Sequence, residues 1–227
     1  MSGGQAATAS TVAGGACGYY TRVSLFGGPA QVRGCGEKPG AGLPGSASPS
    51  VTLPVGGSST AVKATDDNGA LAQYGPAVVF GGKPPKDPNA PLGPSGAMTV
   101  STKGKRSVTS SASVKSVGAG PFTATSVRST STASKSGVKA STTITSGVVV
   151  TATDADGNPT STDKLPSHPD PSHTVEGVNS LGDHFRAVFN EQKVDPDGTI
   201  TVNAVHLYLL GPTAVGDVVI AQSSARA

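Results

Sequence analysis

An all-β domain is the fold class this sequence predicts, on three observations. Glycine (31) and proline (18) are abundant; both disfavour helix interiors, and the many Ser and Thr compete for backbone hydrogen bonds. Turn-forming clusters recur at short intervals, among them Gly27-Gly28-Pro29, Asp66-Asp67-Asn68-Gly69 and Asp195-Pro196-Asp197-Gly198, which leaves room for strands and little for helices. Between them, apolar and polar residues alternate with the period of two that a half-buried strand requires. The architecture expected is an antiparallel β-sandwich of about ten strands with Pro/Gly-rich loops. A β-solenoid is the alternative, because small residues alternate along 97–150, although no fixed repeat period is visible.

Taken in order, residues 1–16 read as a flexible lead-in and 17–227 as a single all-β domain. Cys17 and Cys35 flank an apolar run, a Gly-Gly-Pro break and a shorter returning run, the pattern of a hairpin-like pair. A disulfide between them is expected; closing that loop is worth about 3 kcal/mol on the chain-entropy model. Segments 81–96 and 157–174 are Pro-rich and read as exposed, extended connections.

The clearest strand pattern runs from Val138 to Thr153, with Val138, Ala140, Thr142, Ile144, Ser146, Val148, Val150 and Ala152 on the face expected to be buried. Val108, Ser110, Ala112 and Val114 repeat it more weakly. Near the end, Phe185, Ala187 and Phe189 share one parity, and Ile200, Val202 and Ala204 share another after the Asp195–Gly198 turn. Val205, Leu207 and Leu209 then change parity, which predicts a bulge or a strand covered on both sides. The hydrophobic share is 35%, with five Phe, four Tyr and no Trp, so the core must come mainly from Val, Ala, Ile and Leu.

The net charge of +3 conceals an asymmetry. No acidic residue lies between Asp87 and Asp154, whereas Lys103, Lys105, Arg106, Lys115, Arg128, Lys135 and Lys139 fall there. These form a candidate anion-binding face, for which a cell-wall polymer is the natural partner; lysines that guard exposed strand edges account for the same residues. Nucleic acid is not expected, because Phe122 is the lone aromatic of that region and no recognition module is present.

Chemistry-bearing patterns are thin. His168 and His173 flank Asp170 in a Pro-rich stretch, with Glu176 and Asp183 downstream; a metal-dependent hydrolase built there is one alternative, but irregular backbone preorganises ligands poorly, and solvated loop histidines are the expectation. Asp154 to Thr160 opens like a calcium loop, then has Leu165 where the bidentate Glu belongs, so it reads as a hairpin turn. Ser136 and Lys139 match S-x-x-K without its companion elements, and no nucleophile elbow or phosphate loop occurs. His206, within an apolar run beside Tyr208, is expected to be a hydrogen-bonded structural histidine and not a general base. No cofactor, metal site or catalytic residue is expected.

One segment carries a family resemblance. Phe189-Asn190-Glu191-Gln192, then Gly198-Thr-Ile-Thr-Val202-Asn203-Ala204-Val205-His206, then Gly216-Asp217-Val218-Val219-Ile220, resembles the C-terminal part of the choice-of-anchor P family, within residues 184–222. The resemblance implies an all-β, secreted actinobacterial surface protein with no defined activity.

The chain has no apolar run of ~18 residues to span a membrane, and its start lacks the basic and apolar regions of a signal peptide. A mature or truncated secreted chain is therefore expected. The function expected is that of a non-catalytic bacterial surface or extracellular protein with a structural or adhesive role. Self-association and cell-wall polymer are the expected partners, and the alternative is a module that binds polysaccharide or an anionic wall polymer. Tyr19, Tyr20 and Tyr74 are the available aromatic platforms for a sugar.

Overall fold

The computed structural model describes residues 13–34, 51–52, 58–63, 74–79, 95–102, 107–179 and 181–227. No helix occurs among them. The strands are β1 (Ala13–Leu25), β2 (Gln31–Gly34), β3 (Val51–Thr52), β4 (Ser58–Lys63), β5 (Tyr74–Val79), β6 (Ser95–Thr102), β7 (Ser107–Ala119), β8 (Phe122–Ser134), β9 (Gly137–Thr145), β10 (Val148–Thr153), β11 (Pro159–Lys164), β12 (His173–Val178), β13 (His184–Val194), β14 (Ile200–Leu210) and β15 (Ala214–Arg226).

All 15 strands belong to one sheet. Its order is β2-β1-β15-β14-β13-β12-β10-β8-β7-β6-β5-β4-β3, with β9 beside β8 and β11 beside β10. The sheet folds over until β14, β15 and β1 lie against β7, β8 and β9, giving a nearly closed, barrel-like wall around one core. The sequence predicted the all-β class. The path is one continuous sheet, however, where two separate sheets of about ten strands were expected. The pairing does not follow the solenoid alternative: among the described residues paired strands run antiparallel, and the single parallel contact is the Ala152–Val178 bridge between β10 and β12.

Two lines of backbone irregularity explain how the inner face stays filled. Along the first, the buried parity changes between Val114 and Val117 in β7, between Ala124 and Val127 in β8, and between Ile144 and Val149 across Ser146-Gly147. The last of these interrupts the expected Val138–Thr153 strand. Thr145 pairs with Ser126 and Val148 with Thr123, so the register continues across the break while the buried parity reverses. Ser146 holds φ 53, and a Cβ on Gly147 would come within 2.6 Å of Ile144 Cγ2. Along the second line, Asn190 (φ 53), Ala204 and Ala221 (φ 51) stand level in β13, β14 and β15, and the ladder skips a pair there. The expected change of parity at Val205 is this irregularity.

The core is divided accordingly. Toward the end bearing the β7–β8, β12–β13 and β14–β15 turns it is apolar: Phe122 and Phe189 meet with ring centroids 5.4 Å apart, packed among Val149, Phe185, Leu207 and Ile220. Toward the other end the buried positions carry Ser110, Ser129, Ser131, Thr142 and Ser223 around a small cluster of Ala133, Ile200 and Ala225. The hydroxyl oxygens of Ser129, Ser131, Thr142 and Ser223 have no hydrogen-bond partner among the described residues. A buried hydroxyl without a partner costs free energy that a methyl group does not. Ser129→Ala and Ser131→Ala are therefore each expected to raise stability by up to about 1 kcal/mol, measured as an upward shift of the urea midpoint at constant slope.

The Pro-rich stretch 157–174 is mostly exposed, but it is paired with the sheet and is not a free connection. Pro159–Lys164 forms β11, exposed throughout and paired with β10 alone. Residues 165–172 close the gap between the two halves of the sheet and are not a free connection. The Leu165 N–H donates to Gly147 O and the Ile144 N–H to Ser167 O, both at 2.9 Å, while the Ser172 N–H donates to Asn190 O at 3.0 Å. The Asn190 side chain donates to Pro169 O at 2.9 Å, and Pro169 is buried. Segment 81–96 lies outside the described residues up to Ser95, where β6 begins. At the N-terminus β1 starts at Ala13, within the expected lead-in, because Ala13 to Cys17 pair with Arg226 to Gln222.

Candidate functional site

The largest connected group of ionisable side chains among the described residues lies on the outer face of β13, β14 and β15. Two hairpin registers assemble it. The Asp195–Gly198 turn sets Glu191 opposite Asn203, and the next turn sets Tyr208 opposite Asp217. One Glu191 oxygen accepts from Asn203 Nδ2 and faces His206 Nδ1, both at 2.7 Å; the other accepts from the Tyr208 hydroxyl at 2.8 Å. His206 Nε2 lies 3.2 Å from Asp217 Oδ1, so both ring nitrogens point at carboxylates. The His206 and Tyr208 rings stack at 3.9 Å, and the Arg186 guanidinium covers Tyr208 at 4.6 Å. Gln222 donates to Asn203 Oδ1 and extends the group.

Electrostatics lock this arrangement. Burial pushes the Glu191 carboxyl up, but hydrogen bonds from His206, Asn203 and Tyr208, with the charge on His206, outweigh it and hold the pKa at about 2 against an ordinary 4.5. Burial raises the Tyr208 hydroxyl, and the bond to Glu191 and its negative charge raise it further. At neutral pH Glu191 is thus a weak base and Tyr208 stays protonated, which suits neither to proton abstraction or nucleophilic attack. The geometry makes a clasp across three strands, with His206 hydrogen-bonded through both ring nitrogens.

A second feature is a cleft of about 510 Å³ at the apolar end, lined by Gly120, Pro121, Thr123, Val150, Val178 and Phe185, among others. Asn179, Asp183, His184, Leu209 and Ala214 also line it. Asp183 is buried and bonded from several sides: the Thr213 N–H and hydroxyl, the Ala214 N–H and Asn179 Nδ2 all donate to it. The Thr213 hydroxyl bond lowers its pKa against the opposing effect of burial.

The described residues among those predicted from sequence lie on several elements. Arg128 and Lys139 are exposed on β8 and β9, with Lys135 exposed in the turn between them. Lys115 stands in β7 opposite Ser126, and Lys103, Lys105 and Arg106 lie outside the described residues. Cys17 stands in β1 opposite Gln222, while Cys35, and with it the expected disulfide, lies outside them. His168 is exposed and near Ser167 Oγ at 3.1 Å; His173 packs its ring 6.1 Å from Phe189; Asp170 is exposed and accepts the His173 N–H through its backbone oxygen. No group of three or more His, Cys, Asp or Glu stands as a metal-binding set among the described residues.

Tyr20, one of the proposed sugar platforms, is 7% exposed and unavailable as one; Tyr19 and Tyr74 belong to β1 and β5. The Asp154 loop is the hairpin turn read from sequence: Asp154 Oδ1 accepts the Asp156 and Asn158 N–H groups at 3.0 and 2.8 Å. Among the described residues no helix is long and apolar enough to cross a membrane. Comparison with protein-family models, curated proteins and solved structures found no match to this chain.

Proposed function

We propose that this chain is a secreted, non-catalytic bacterial surface or extracellular protein with a structural or adhesive role, exerted through self-association. The observation that carries the proposal is β11. Its residues are all exposed, among the described residues it pairs with β10 alone, and its other edge is there an open row of backbone donors and acceptors of the kind that recruits another strand. Pro159, Asp163 and Lys164 temper that edge, which favours regulated pairing over indiscriminate aggregation. The clasp around Glu191 adds support, because its ionisable groups are consumed by one another. The resemblance of 184–222 to the choice-of-anchor P family points the same way, toward export and surface display.

A second reading, binding of an anionic wall polymer, draws on the exposed Arg128, Lys135 and Lys139. Solid-phase binding separates the two. Labelled chain is expected to adhere to wells coated with the same chain, with little loss between low and moderate salt. Retention on purified wall fractions that falls steeply with salt, without self-adhesion, is the outcome that transfers the function to the basic face.

A further inference from the structure

The cleft at the apolar end belongs to neither of those readings, and three observations set it apart. First, its lining is chiefly apolar, with Val150, Val178, Phe185 and Leu209 from four different strands, and a volume of about 510 Å³ falls within the range of small-molecule sites. Second, Leu25, Phe26, Leu181, Leu210 and Val215 are all more than half exposed around it, Phe26 at 81%. They adjoin the lining: Leu25 pairs with Ala214 of the lining, the Phe26 N–H donates to the preceding Thr213 O at 2.7 Å, Leu210 follows Leu209, Val215 follows Ala214, and Leu181 stands between Asn179 and Asp183. Third, Phe26 holds φ 50, a region that bulky side chains avoid. An exposed ring on strained backbone costs stability without serving the fold, and such residues cluster at functional positions.

The polar lining defines the ligand class. Asn179 Oδ1 accepts the Leu181 and Asp183 N–H groups at 2.9 Å, and its Nδ2 donates to Asp183. Asp183 is in turn occupied by Thr213 and Ala214. These groups are turned on the protein, so a sugar, which needs many hydrogen bonds, finds few partners. No Lys or Arg lines the cleft, so an anionic headgroup finds no counter-charge of that kind. His184 and Thr123 are left to meet one polar end.

We infer that this cleft binds the aliphatic chain of a small, uncharged amphipathic molecule, with Phe26 and its apolar neighbours forming the approach. The test uses the full chain and N-phenyl-1-naphthylamine, a neutral dye that brightens in apolar surroundings. Saturable uptake of one dye per chain is expected, displaced by dodecanol and not by maltotriose. Dodecanoate is expected to displace it at least about tenfold less well than dodecanol. Ala214→Phe and Val150→Phe, which fill the cleft from different strands, are each expected to weaken uptake at least about tenfold, and Phe26→Ser about threefold. Thermal unfolding of each variant shows whether it is folded, and the displacement series on the unaltered chain stands whether or not the variants fold. Absence of saturable uptake, displacement by maltotriose, dodecanoate matching dodecanol, or uptake unchanged in both folded cleft-filling variants overturns the inference.

Discussion

A Gly216→Ala variant is expected to lose at least about 4 kcal/mol of folding stability, enough to leave much of the chain unfolded without denaturant. Gly216 lies in β15 between Leu209 of β14 and Val23 of β1. Its φ of +145 is one that side chains rarely adopt, and an added Cβ would stand 2.0 Å from Arg22 O and 2.9 Å from both Arg22 C and Val23 Cα. All three atoms are backbone, so relief requires β1 to part from β15 along its ladder. Gly157→Ala is the control: its φ is +83 but no atom lies within 4 Å of the added Cβ, so the loss there is the conformational penalty alone, about 1–2 kcal/mol. Urea unfolding followed by far-UV circular dichroism reads both, and equal losses would show that the close approach of β1 carries no weight.

The second large effect lies at the clasp. Glu191→Gln preserves the shape but replaces one acceptor oxygen with an amide that faces donors, either the His206 and Asn203 side or Tyr208. The expected loss at neutral pH is about 2–3 kcal/mol. The pH dependence gives an independent signature. With a folded pKa of about 2 below the ordinary 4.5, the Glu191 contribution is full above pH 4.5 and fades as pH falls toward 2. Its upper size is about 3 kcal/mol, reduced by solvent screening because the carboxylate is partly exposed. Unfolding free energies at pH 7, 5 and 3 should therefore fall more steeply for the unaltered chain than for Glu191→Gln. Parallel curves would mean that Glu191 gains nothing from its partners.

Much of the second half of the fold was legible because its strands follow simple parity. Phe185, Ala187 and Phe189, and after the turn Ile200, Val202 and Ala204, are buried as their alternation required. The Asp195–Gly198 turn closes as its residues required, with the Gly198 N–H donating to Asp195 O at 2.9 Å and Gly198 at φ 82. The reversal at Ser146-Gly147 was not legible, since Val148, Val149 and Val150 are equally apolar and only the positive φ at Ser146 selects Val149 for the core. Residues 165–172 misled for a different reason. Proline content signals an extended backbone, but the carbonyl and amide partners that hold it to the sheet, with Pro169 buried, come from Gly147, Ile144 and Asn190, remote in sequence.

The clasp was recoverable in part. Folding the chain about the Asp195–Gly198 turn with Val194 against Ile200 sets Glu191 opposite Asn203, three residues before His206 on the same strand. The segments that suggested a family supply its members: Glu191, Asn203, His206 and Asp217 lie in the clasp, Gly216 at the tight crossing with β1, and Asn190 on the Pro169 anchor. Each of these makes a contact that holds neighbouring strands together.

Size-exclusion chromatography with light scattering, followed by negative-stain microscopy of the same fractions, tests the proposed role most directly, with the chain compared against a Thr160→Asp, Thr162→Asp variant. These substitutions put negative charge on the open edge beside Asp163 without touching the core. Ordered oligomers or fibres from the unaltered chain, shifted toward monomer in the variant, are the expected result. A clean monomer at high concentration for both proteins would contradict a structural or adhesive role through self-association.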